Sequence, residues 1–126
     1  MKVFVGVLIF FLIFSILGWY TEKIIADQAD AILTQLENLA TYVKAADVEA
    51  ITAQLETVNR LWVKARNVWV LLIDHHDLDS FEVALARTKA YLENKAPVLA
   101  MSEIAELKQI IYRIPDQLRL NWENIF

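Results

Sequence analysis

The sequence predicts an all-α fold: a single N-terminal transmembrane helix followed by an antiparallel helical bundle of about four helices. Three observations predict it. The 126 residues include only two glycines and two prolines, so the many turns a sheet protein needs are missing, whereas long helices need few. Val3 to Tyr20 is apolar apart from Ser15 and the two glycines. Beyond that run, apolar residues recur at helical rather than alternating spacing.

The apolar run spans 18 residues. At 1.5 Å per residue it covers about 27 Å, close to the hydrocarbon thickness of a bilayer. Trp19 and Tyr20 close it, as aromatic side chains do at a membrane–water interface. Residues 1–20 therefore read as a transmembrane signal anchor and 21–126 as an extracytoplasmic helical domain. Lys2 and the amino terminus make the N-terminal flank positive, while Glu22 and Lys23 leave the other flank neutral. The positive-inside rule then puts the N-terminus in the cytoplasm and the rest outside. A cleaved signal peptide competes with this reading. Its cleavage context is poor, because cutting after Gly18 or Ala26 places Ile16 or Ile24 where small residues are wanted. No small-x-x-x-small pair in the anchor signals helix dimerisation.

The elements of the domain follow in order. Ile25, Ile32, Leu36, Leu39 and Val43 share one face with no breaker between Tyr20 and Ala45, so the membrane helix is expected to run on as one rod. Asp47 is a suitable N-cap for a second helix. There Val48, Ile51, Leu55, Val58, Trp62, Ala65, Trp69 and Leu72 keep 3,4 spacing throughout, the strongest periodic signal in the chain. Asp74 to Ser80 reads as a polar interruption, with Asp79 or Ser80 capping a third helix whose inner face is Phe81, Leu85, Thr88 and Leu92. Asn94 and Lys95 end it, and Pro97 suits the first turn of a fourth helix. That helix turns Ala100, Ile104, Leu107, Ile111 and Ile114 inward, and Pro115 is expected to stop it. The tail, 116–126, carries Leu118, Leu120, Trp122, Ile125 and Phe126 in no evident helical register. A flatter array of helical hairpins ranks second to the bundle, because the tetratricopeptide signature residues are missing.

Composition excludes several functions. There is no cysteine, hence no disulfide framework, thiolate zinc site, iron–sulfur cluster, cysteine nucleophile or lipoprotein anchor. The net charge is −4, and without Lys2 the 12 basic residues fall to 11 against 16 acidic ones. A surface of about −5 argues against nucleic acid, and against anionic headgroups, as main partners.

The densest ionisable cluster is Asp74, His75, His76, Asp77, Asp79 and Glu82. Imidazole and carboxylate are the ligands zinc, iron, nickel or manganese would take, so His75, His76, Asp77 and Asp79 are the candidate metal ligands. Their spacing matches no metal motif. The bland reading is a solvated corner whose carboxylates cap the third helix while a histidine meets the last carbonyls of the second. Both glycines lie in the apolar run, so the domain has neither a phosphate-cradling loop nor a flexible oxyanion turn. No catalytic residue, cofactor or enzyme activity is expected. Trp62 and Trp69 stand seven residues apart on one face and read as core rather than as a cation cage. Arg60 and Lys64 read as a solvated face.

Trp69, Leu72, Ile73, Asp74, His75, His76, Asp77 and Asp79, with Leu85-Ala86-Arg87, Ile114-Pro115 and Asn124-Ile125 after them, resemble a bacterial family catalogued as domain of unknown function 4363. The resemblance runs over nearly the whole chain and implies a membrane-anchored helical protein. It implies no activity and no site residue.

The sequence thus reads as a single-pass membrane protein whose extracytoplasmic domain is an interaction or scaffold module for a protein partner. One alternative is a metal or small-ligand sensor using the Asp74–Glu82 corner. Another is a secreted soluble helical protein released by signal cleavage.

Overall fold

The computed structural model describes the backbone of residues 1–125 and the side chains of residues 1–119. Its elements are α1 (Lys2–Lys44), α2 (Val48–Trp69), α3 (His75–Glu93) and α4 (Pro97–Ile125), with no strand among the described residues.

α1 is one unbroken helix of 43 residues, about 65 Å long at 1.5 Å per residue. Its two halves differ in kind. The half up to Tyr20 leaves every large apolar side chain at least 36% exposed. Such a helix is not the core helix of a soluble domain; it is long and apolar enough to cross a membrane. The other half buries Ile25, Ala29, Ile32, Leu36, Leu39, Ala40 and Val43, including every residue the periodicity assigns to that face.

α1 packs against α2 and α4, and α4 against α3. Cross-helix bonds set the antiparallel register. Gln35 meets Gln54 and Gln28 meets Trp69 between α1 and α2, Asp77 meets Gln117 between α3 and α4, and Arg119 meets Glu22 between α4 and α1. The α2–α3 corner and the end of α4 therefore share the end of the bundle from which the apolar half of α1 emerges. α2 and α3 keep their backbones apart and meet through side chains. Trp62 stacks on Phe81 at 4.0 Å between ring centroids and meets Trp69 edge-on at 5.8 Å. These rings centre the larger core cluster; Leu39, Ala40, Val43 and Ile104 form a smaller one at the far end.

Two turns reverse the chain without glycine. Ala46 and Lys95 take left-handed φ values of 55° and 56°. After α1, Ala46 N–H donates to the Val43 carbonyl and Asp47 N–H to that of Tyr42; after α3, Lys95 and Ala96 do the same to Leu92 and Tyr91. Both are Schellman caps, which satisfy helix-end carbonyls otherwise left orphaned. Asp47 then caps α2, accepting from Ala50 N–H at 3.2 Å.

The structure corrects the sequence reading at three places. α3 begins at His75 with Asp74 as its N-cap, so neither Asp79 nor Ser80 is the cap. Asp74 takes a non-helical cap conformation (φ −57°, ψ 128°) directly after the α2 turn, and burial of Asp77 and Leu78 pulls the next residues into helix. The α2 stripe frays at both ends: Val48 is exposed, and Leu72 lies beyond the helix, half-buried against the core. Pro115 does not stop α4. A proline inside a helix deprives one carbonyl of its donor and costs about 3 kcal/mol. The burial of Leu118 and the links from Gln117 and Arg119 to neighbouring helices offset that cost. Leu118 lies four residues past Ile114 and so extends the α4 stripe that the sequence reading ended. The side chains of Leu120, Trp122, Ile125 and Phe126 lie outside the described residues.

Candidate functional site

The Asp74–Glu82 corner is built by the first two turns of α3, and its ionisable groups disperse. Asp74 Oδ1 accepts from the His76 N–H at 2.9 Å, and its carbonyl accepts from the N–H groups of Asp77 and Leu78. His75 and His76 are therefore the first two residues of α3. They stand near its positive dipole end, not beside the last carbonyls of α2 as the sequence suggested. Both imidazoles are exposed, as is Asp79. Asp77 points the other way and is buried. Its Oδ2 accepts from Gln117 Nε2, and its Oδ1 lies 3.7 Å from Arg113 Nη2. Glu82 turns toward α2, where its Oε1 accepts from Trp62 Nε1 at 3.3 Å and pairs with Arg66 Nε at 2.6 Å.

One carboxylate thus caps α3, one ties it to α4 and one ties it to α2. Among the described residues no three His, Cys, Asp or Glu side chains gather closely enough to hold a metal ion. Neither imidazole is hydrogen-bonded to Ser80 or Asp77 among the described contacts.

Trp62 and Trp69 are buried to 2% and 0% exposure, and a ring closed off from solvent cannot serve as a cation cage. Arg60 and Lys64 are exposed. Sequence reasoning missed a buried polar pair on the α1–α2 seam. Gln54 is buried, and its amide meets both the backbone and the side chain of Gln35. Its position was legible: Gln54 lies four residues before Val58 and eight before Trp62, on the inward face.

A second feature had no signal in the sequence. Near the end from which the apolar half of α1 emerges, Trp62–Phe81 and Arg66–Glu82 bridge α2 to α3. Toward the opposite end the two helices leave a groove of about 370 Å³ between them. Val48, Ile51, Leu55 and Leu92 supply its apolar lining, and Glu56, Lys89 and Glu93 its charged edge. It is open and mostly apolar, with no convergent polar set of the kind a small polar substrate requires.

On α4, Glu103 carries a buried carboxylate oxygen with no hydrogen-bond partner. Burial, reinforced by the charge of Glu106 and opposed by Arg87, raises its pKa above the ordinary carboxylate value.

No curated protein and no solved structure matches this chain. A family profile does match, starting at Trp19 where the apolar run closes and covering the whole bundle. Over residues 19–125 the chain belongs to the family described as domain of unknown function (DUF4363).

Proposed function

We propose that this protein is a single-pass membrane protein with a cytoplasmic N-terminus, whose bundle stands outside the cytoplasm as an interaction module for a protein partner. The observation that carries this reading is the double nature of α1: one rod offers bare apolar surface below Tyr20 and core residues from Ile25 on. Inserting the bare half in a bilayer removes its side chains from water at roughly 25 cal/mol per Å². The rod then holds the bundle directly on the membrane surface without a flexible linker. Cleavage of this segment fits poorly. A cut after Ala26 would remove the fully buried Ile25 and the Glu22 that pairs with Arg119 at 3.3 Å. A cut after Gly18 would fall inside an unbroken helix. Lys2 supports the orientation.

The groove between α2 and α3 is the face we assign to the partner, and an amphipathic helix is the shape it fits. The test uses the absence of native cysteine. Val48→Cys at the groove and Glu37→Cys on the exposed face of α1 each carry a thiol-linked photo-cross-linker in intact cell membranes. One recurrent protein captured from position 48 and not from 37 supports the module. Equal capture from both positions, or capture only with cytoplasmic proteins, would sink it.

A further inference from the structure

We propose that the α2–α3 corner, from Val70 to His76, is a second membrane contact, resting in the headgroup layer of the bilayer with Leu71 as its inserted side chain. The proposal rests on the reading of α1 as a membrane anchor.

The first support is axial position. Arg119 is level with Glu22, and Gln117 with Asp77, so Asp77 stands about level with Ile24 and Asp74 about level with Thr21. On the other side of the corner, Trp69 is level with Gln28, which places Leu71 near Ala26. At 1.5 Å per residue the corner lies roughly 2–9 Å above Tyr20. Headgroups occupy about 5–8 Å on each side of the hydrocarbon core. With Trp19 and Tyr20 marking the edge of that core, the corner spans the headgroup layer, from Asp74 on its inner side to Leu71 at its outer edge.

The second support is exposure. Leu71 is 82% exposed, in a turn where the flanking Val70 and Leu72 pack against the core. An isolated exposed leucine is ordinary on a soluble surface. This one sits at the end of the bundle that faces the lipid.

Charge decides the kind of lipid contact. Lys23, Arg113 and Arg119 stand at this end with Glu22, Asp74, Asp77, Asp79 and Asp116. Acidic groups outnumber basic ones, so anionic lipid gains nothing here. The contact is apolar and interfacial, and zwitterionic lipid suffices. A second contact point would restrain how the bundle tilts and rotates about its anchor.

Single-cysteine variants of the full chain test this: Leu17→Cys in the anchor, Leu71→Cys at the corner and Val48→Cys at the far end. Each is labelled with an environment-sensitive fluorophore and reconstituted in phosphatidylcholine vesicles containing lipids spin-labelled at the headgroup or the upper acyl chain. Quenching at position 71 should exceed that at 48 several-fold and stay unchanged when phosphatidylglycerol or salt is added. Quenching at 17 with none above the position-48 level at 71 would overturn the corner contact and leave the anchor standing. Dependence at 71 on anionic lipid would also overturn the apolar contact. An unquenched label at 17 would sink the anchor reading, and this contact with it. Unchanged tryptophan fluorescence in each variant checks that the bundle is intact.

Discussion

Trp69 donates its indole N–H to Oε1 of Gln28 at 2.9 Å, although 41 residues separate the two. The bond fastens the end of α2 to α1 just above the point where α1 leaves the bundle. It also satisfies the one polar group of a ring that is otherwise fully buried. Trp62 does the same across the core, giving its indole N–H to Glu82 while its face lies on Phe81.

Truncating the stack should therefore be severe. Trp62→Ala is expected to cost about 3–5 kcal/mol, a large share of the roughly 5–15 kcal/mol a domain holds. Trp69→Phe loses both the bond to Gln28 and one ring of the indole, so its smaller cost of about 1–3 kcal/mol combines an unmade hydrogen bond with a cavity. Denaturant unfolding of the full chain in detergent micelles measures both. A loss below about 1 kcal/mol for Trp62→Ala is what surface substitutions show, and would contradict its burial.

The cap assignment at α3 predicts an order of effects. Asp74→Ala should cost about 0.5–2 kcal/mol as a lost N-cap, whereas Asp79→Ala, at an exposed position, should stay within about 0.5 kcal/mol. Asp77→Ala leaves Gln117 without its partner and should cost about 1–3 kcal/mol. The same denaturant unfolding with chelator or added zinc should show no shift of the midpoint. The reverse ranking of Asp74 and Asp79 would restore the later start of α3 that the sequence suggested.

The two left-handed turn residues can be improved. A non-glycine residue there bears about 1–2 kcal/mol of steric cost, and glycine loses part of that advantage to its greater freedom in the unfolded chain. Ala46→Gly and Lys95→Gly should each raise stability by about 0.5–1 kcal/mol. A lower melting temperature in either variant would mean that the turn is not the Schellman cap described.

Glu103 predicts a pH dependence. Its folded pKa is raised, chiefly by burial and then by Glu106, with Arg87 opposing. Between the ordinary carboxylate pKa and the raised one, the folded state binds more protons than the unfolded state. Stability from this group therefore falls as pH rises through that window, and the penalty is fully present above it. Glu103→Gln removes the ionisation. Its unfolding midpoint should exceed that of the unsubstituted protein at neutral pH and converge with it in acid. An advantage that persists undiminished in acid would assign the effect to packing instead.

The sequence by itself determined the elements whose cause is local. The apolar run to Tyr20, the inward face of α1 and the central part of those of the other helices, the cap at Asp47 and the start at Pro97 all follow from spacing and residue type, because helical period and capping act within a few residues. The continuity of α1 was legible for the same reason, since nothing between Tyr20 and Ala45 can break a helix. Only the tertiary structure decided the rest. Whether α3 starts at His75 or Asp79 depended on Asp77 finding Gln117 and Arg113, which lie 40 and 36 residues away in sequence. Whether Pro115 ends α4 depended on Leu118 finding a place in the core, where packing outweighs one missing hydrogen bond. The candidate site divides in the same way. The sequence showed the dense Asp74–Glu82 cluster, but three-dimensional packing sent its carboxylates to three different neighbours. The groove arises where α2 and α3 stay apart because each packs more closely on another helix, α2 on α1 and α3 on α4. Such competition between long-range contacts leaves no trace in the periodicity of a single strand of sequence.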